Sequence, residues 1–145
     1  MTLMVSLDKP WLVDVGFGDL FHHPLRLVES TVQGQRQRAY RFAVDGEWWT
    51  LMERKPGENW KAQYRFTWQA YDYANFVPMC IYHQTSLESK FRRDLICSMA
   101  TPEGRKTLSN MKYILTTLSR DRVERDMKDE QEFAHVLAEE FGITL

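Results

Sequence analysis

Apolar and polar positions alternate with a two-residue period over much of the first two thirds of the chain, and a helical spacing takes over at its end. Residues 2–7 (TLMVSL) and 11–15 (WLVDV) are apolar runs separated by Asp8, Lys9 and Pro10, which predicts two strands joined by a short turn. A second hairpin is predicted in YRFAVDGEWWTL, where Asp45-Gly46 sits between two alternating runs. With that dipeptide as the loop, Val44 faces Glu47, Phe42 faces Trp49 and Tyr40 faces Leu51. The register gathers Tyr40, Phe42, Trp49 and Leu51 on one face, which is then the core face. NWKAQYRFTW reads as a further strand with Trp60, Tyr64, Phe66 and Trp68 on one parity.

From Tyr71 the pattern changes. YDYANFVPMCIYH clusters its apolar residues as a helix does but contains Pro78, so a short or kinked helix is expected where the β region ends. RRDLICSMA, the turn TPEG and KTLSNMKYILTTLS suggest a small antiparallel sheet. Asp129 and Glu132 have the spacing of a capping box, Phe133, Val136, Leu137 and Phe141 follow at helical intervals, and Gly142 supplies the stop.

Composition narrows the class of ligand. A chain of 145 residues with 43% apolar and 13% aromatic content can bury a core as one domain or two small ones. The balance of 19 basic against 20 acidic residues, without long single-sign runs, gives no reason to expect a nucleic-acid or membrane partner and leaves small molecules. No apolar run reaches membrane-spanning length. Cys80 and Cys97 lack C-x-x-C spacing and follow no secretory leader, so a reducing, cytoplasmic setting is expected.

Candidate chemistry is sparse. Nucleophilic catalysis needs a serine or cysteine, a base within reach and a group that orients the base. His22 and His23 precede Pro24 and read as loop residues, against the alternative of a metal or catalytic role; no metal is expected. His135 falls on the solvent side of the terminal helix. Cys80 and His83 could share a helical face, which is weak evidence for a reactive pair, and Cys97 reads as a small buried apolar residue. Gly16 and Gly18 flank Phe17, consistent with a strand end or bulge, or with close approach of a ligand to the backbone. Asp14 interrupts an apolar run, and an ionised carboxylate is seldom buried unpaired.

The segments WLVDVGFG and HPLRL resemble the aspartate motif of the arylamine N-acetyltransferases, and YHQTSLESKF, ICSMATPEG and EFAHVLAEEFGI resemble further stretches of that family in the same order. The resemblance runs from Met1 to Leu145. It implies an α+β fold, an antiparallel β-barrel followed by a small α/β lid domain, within a papain-like acetyltransferase architecture. The implied division is a barrel over 1–69, a connecting helix over 70–82 and a lid over 83–145. The implied reaction is ping-pong transfer of an acetyl group from acetyl-coenzyme A, through a cysteine, to an arylamine, arylhydrazine or N-hydroxyarylamine.

On this resemblance Asp14 matches the triad aspartate that orients and charges a histidine, which in turn keeps the cysteine as thiolate. Phe17 matches the aromatic residue beside the acceptor pocket, and Gly18 lies where backbone approaches the thioester. Tyr82, Thr85 and Ser89 match the segment lining the coenzyme A cleft, with Leu87 where the family usually has proline. The family's histidine falls immediately before Met1 and its cysteine further upstream, so the chain resembles a C-terminal half. An exposed barrel face, with dimerisation or association through it, is then expected. The alternative function is a non-catalytic module that binds coenzyme A or a partner chain.

Overall fold

The structure is a computed structural model that describes residues 2–119 and 121–145. The chain forms two compact units, Met1–Ala70 and Tyr71–Leu145.

In the first unit, β1 (Leu3–Ser6), β2 (Pro10–Val13) and β3 (Leu25–Arg26) make a three-stranded antiparallel sheet. The β1–β2 hairpin forms where the Asp8-Lys9-Pro10 turn was expected, but β2 ends at Val13. Val15 is 90% exposed, so Asp14 stands just past a strand end rather than inside a buried strand. The chain then forms a four-stranded meander of β4 (Gln33–Gln35), β5 (Arg38–Asp45), β6 (Trp48–Arg54) and β7 (Lys61–Phe66). An isolated bridge between Glu29 and Phe42, with Ser30 N donating to the Phe42 carbonyl at 2.9 Å, ties the two sheets together. Between them lie Leu12, Leu20, Leu25, Leu27, Tyr40, Phe42 and Leu51, edged by Met4, Phe21, Trp49, Tyr64 and Phe66. Each large apolar side chain taken from water there contributes roughly 1.5–3 kcal/mol.

Two registers differ from expectation. Val44 pairs with Trp49, Phe42 with Leu51 and Tyr40 with Glu53. The hairpin turns on Gly46 and Glu47 instead of Asp45 and Gly46, because Gly46, at φ +56°, takes the left-handed conformation as the first central residue. The slip is an even number of residues, so the aromatic face survives it. In β7 the register shifts between Leu51 and Met52: Leu51 pairs with Tyr64 but Met52 with Ala62. This bulge reverses the parity beyond it. Tyr64 and Phe66 therefore face the core, while Trp60 lies on the other side beneath the Arg41 and Arg54 guanidinia, whose carbons are 4.5 and 4.8 Å from its ring centre.

The second unit opens with a 3₁₀ turn (Tyr73–Phe76) leading into α1 (Val77–Thr85). Pro78 sits in the first turn of α1, where its missing amide proton costs no helical bond. After α2 (Lys90–Arg93), strands β8 (Ile96–Thr101), β9 (Gly104–Ser109), β10 (Lys112–Thr117) and β11 (Arg122–Asp126) form an antiparallel meander. Helix α3 (Glu130–Phe141) places Val136 and Leu137 against Leu108 and Met127, with half-buried Cys97, Tyr113, Phe133 and Phe141 around them. The Asp129 carboxylate caps α3 through the Glu132 amide at 2.8 Å, but Glu132 reaches back to the Lys128 amide rather than to that of Asp129. Gly142, at φ +68°, ends the helix in the left-handed conformation. Among the described residues, no helix is long and apolar enough to cross a membrane.

Candidate functional site

The end of β2 delivers Asp14 into a tight turn. Its Oδ1 accepts the amides of Gly16 at 2.8 Å and Phe17 at 3.1 Å, an Asx-type arrangement favoured by a short acidic side chain followed by glycine. Local backbone amides thus provide the partner that the apolar run seemed to require. Oδ2 accepts no hydrogen bond among the described residues. The carboxylate is therefore oriented by one oxygen and left with acceptor capacity on the other.

Asp14 and Phe17 line one hollow of about 430 Å³ together with Thr2, Gly16, Tyr64, Arg65 and Phe66. The Phe17 ring lies 5.9 Å from that of Tyr64, which is 6.2 Å from Phe66. Three aromatic rings beside one oriented carboxylate suit a flat apolar molecule that carries a polar nitrogen. Thr2, one residue before the Leu3–Val13 pair, donates its hydroxyl to the Val13 carbonyl at 3.1 Å. Among the described residues, the buried Tyr64 hydroxyl has no partner in hydrogen-bonding geometry. Burial first, and the neighbouring Asp14 charge after it, raise its pKa above the ordinary phenol value, while Thr2 pulls it down.

Sequence reasoning singled out Asp14 and Phe17, placed Tyr64 and Phe66 on one parity of a strand without a site role, and gave no role to Thr2 or Arg65. The signal available was strand parity, since Tyr64 and Phe66 alternate toward the same side of β7. Gly18 lies one residue further along the loop.

Tyr82, Thr85 and Ser89 belong to the second unit. Tyr82 is 42% exposed on α1. The Thr85 hydroxyl donates back to the Ile81 carbonyl at 2.8 Å, and its own carbonyl accepts Arg92 Nη1 at 2.8 Å. Ser89, only 1% exposed, is the N-cap residue of α2, and its hydroxyl lies 3.1 Å from His83 Nδ1. His83 also sets its ring edge-on to Phe91 at 4.8 Å, while the Cys80 sulfur accepts Gln84 Nε2. Cys80 and His83 thus engage separate partners. His22, His23 and His135 are exposed, and no group of three or more His, Cys, Asp or Glu side chains among the described residues is arranged to hold a metal.

A family model described as N-acetyltransferase matches residues 1–145. The chain belongs to the arylamine N-acetyltransferase family. The arylamine N-acetyltransferase of Escherichia coli is 28% identical over 144 residues, a match that covers 97% of this chain and 51% of the relative. The Gallus gallus pineal gland isozyme NAT-3 is 30% identical, with 98% and 57% covered. Among solved structures, the Salmonella typhimurium arylamine N-acetyltransferase superposes at a TM-score of 0.88 with 26% identity, covering 98% of this chain and 53% of that one. The Mycobacterium marinum enzyme, solved in complex with CoA, superposes at 0.83 with 25% identity, covering 98% and 53%. The chain spans about half the length of the curated relatives it matches. It has the α+β fold of the family, antiparallel sheets followed by a sheet-and-helix unit.

Proposed function

We propose that this chain supplies the acceptor side of an arylamine N-acetyltransferase, with Asp14 as the triad aspartate. The supporting observation is the Asp14 carboxylate, preset by the Gly16 and Phe17 amides at the wall of an aromatic hollow. In the reaction that family membership suggests, a cysteine thiolate attacks the thioester of acetyl-coenzyme A and coenzyme A leaves as its thiol. The amine nitrogen then attacks the acetyl-cysteine, loses a proton and carries the acetyl group away, restoring the thiol. Asp14 orients a histidine through its ring N–H and stabilises the imidazolium form, so that the cysteine remains ionised. Phe17, Tyr64 and Phe66 hold the arene and exclude water. Tyr82, Thr85 and Ser89 are assigned to the coenzyme A side.

No residue of this sequence matches the family's cysteine or histidine, so those groups act from outside these 145 residues. That mismatch also favours a second reading, a module that binds coenzyme A or a protein without catalysis. Supplying the upstream half of the E. coli relative, fused or co-expressed, separates the two. Acetylation of an arylamine is expected from the combination and none from the chain alone. Asp14→Asn in the combination lowers turnover by at least about 100-fold, a modest figure beside the roughly 10⁴-fold that the same substitution costs a serine-protease triad. A near-normal rate with Asp14→Asn overturns the assignment of Asp14, and turnover by the chain alone that depends on Cys80 or Cys97 overturns the division of labour.

A further inference from the structure

The segment that follows Asp14 is fastened to the β4–β5 hairpin by two cross-strand pairs of side chains. Gln33 stands opposite Tyr40, and Gln35 opposite Arg38. Gln35 Oε1 accepts the amides of His22 and His23, each at 2.9 Å, while its Nε2 donates to the His23 carbonyl at 2.7 Å. Gln33 holds Arg26 in the same manner, accepting its amide and donating to its carbonyl, both at 2.8 Å. The Tyr40 hydroxyl donates to the Leu20 carbonyl at 2.9 Å. Arg38 makes the most contacts: Nη1 donates to the Asp19 carbonyl at 2.7 Å and to Glu53 Oε1 at 3.0 Å, and Nη2 donates to both Asp19 carboxylate oxygens at 3.1 and 2.9 Å.

Residues 14–18 lie between the end of β2 and the first of these anchors. The stretch contains Gly16 and Gly18, which widen its conformational choice. Fixing both of its ends restricts that choice. The near end is held by the β2 ladder and the far end by the charge-assisted fork between Arg38 and Asp19. We propose that Asp19 and Arg38 are positioning residues for the Asp14 hollow: their pairing fixes the far end of the loop, so that Asp14 keeps the Gly16 and Phe17 amides and the Phe17 ring stays beside Tyr64. The functional part of this inference rests on the reading of the hollow as the acceptor site.

Arg38→Ala is a poor test, because the Glu53 side chain is 7% exposed and would keep, among the described residues, only Gln63 Nε2, at 3.1 Å, as a partner. Asp19→Ala removes the two carboxylate arms of the same tether at its 52% exposed end and leaves the Arg38–Glu53 pair and the Arg38 bond to the residue-19 carbonyl in place. The measurement is amide hydrogen exchange by NMR on the 145-residue chain, with the Asp14 carboxyl ¹³C resonance as a second signal. Asp19→Ala is expected to speed exchange at Gly16 and Phe17 by about tenfold and to move the Asp14 resonance, while Leu51 and Glu53 amides in β6 keep their rates. Asp8→Ala, a carboxylate removed from the β1–β2 turn, serves as control and changes neither signal. Unaltered Gly16 and Phe17 rates with Asp19→Ala overturn the proposal, and so does an equal acceleration in β6, which marks general loss of stability. No acetyl transfer enters this readout, so its failure is distinct from a failure of the Asp14→Asn experiment.

Discussion

Tyr64 buries its phenolic hydroxyl near the Asp14 carboxylate, and among the described residues nothing meets it in hydrogen-bonding geometry. A buried hydroxyl without a partner loses its hydration and gains nothing in return, at a cost of roughly 1–3 kcal/mol. Tyr64→Phe removes that atom and keeps the ring that touches Phe17. The variant is expected to be more stable than the parent by about 1 kcal/mol in urea denaturation. A clear loss of stability would show that the hydroxyl has a partner in solution.

Alkaline pH should weaken the fold through the same residue and through Tyr40. Burial pushes the Tyr40 phenol up to about 12 and raises that of Tyr64 as well. The folded chain then holds these protons more tightly than the unfolded chain does. Their contribution is intact below the ordinary phenol value of about 10 and is lost as pH rises from there through the folded values, with a slope of up to about 1.4 kcal/mol per pH unit for each group. The urea midpoint is expected to fall steeply between about pH 10 and 12. Tyr64→Phe should flatten the curve, and an unchanged slope would count against the burial of that phenol.

Gly104→Ala is expected to be the most damaging single-methyl change in the second unit. Gly104 has φ +155°, and a Cβ there would sit 2.0 Å from the Thr116 carbonyl oxygen and 2.8 Å from Thr117 Cα. Both obstacles are backbone, so the β9–β10 pairing must shift. A loss of about 2–3 kcal/mol is expected, measured by thermal or urea unfolding. A change below about 0.5 kcal/mol would mean that this hairpin opens without penalty.

Acid should loosen the start of α3. The Lys128 amide, and then the Arg125 guanidinium, hold the Glu132 carboxyl below its ordinary pKa. A lowered folded pKa stabilises above the unfolded value and ceases to do so as pH falls through the folded one. Glu132→Gln should therefore lower the melting temperature at neutral pH, with the gap to the parent closing below about pH 4. A gap that persists undiminished into strong acid would refute the charge-based account.

How far the sequence foretold this structure depends on which interactions an element uses. The β5–β6 face survived a misplaced turn because the slip preserved side-chain parity, and α3 was legible at both ends because Asp129 and Gly142 are local signals. Trp60 was placed on the wrong side because a bulge is fixed by pairing across strands, which spacing along one strand does not encode. The hairpin carrying Gln33, Gln35, Arg38 and Tyr40 escaped notice for a related reason. Its glutamines bind backbone atoms 7 to 13 residues away, and no periodic pattern records such contacts. Asp14 was singled out by the apolar run it interrupts and by resemblance, and its amide partners came to light only with the loop geometry.

Helix α1 buries none of its nine side chains, and Val77, Met79 and Ile81 are each at least half exposed. A helix this short lies below the roughly 12–15 residues that hold together unaided in water. With little packing to make up the difference, it belongs at the low end of the ladder of local opening energies, well below the β5–β6 ladder. Tyr82 and Thr85 therefore sit on a segment with little of its own to keep it wound, and any ligand that grips them must also supply the free energy that winds it.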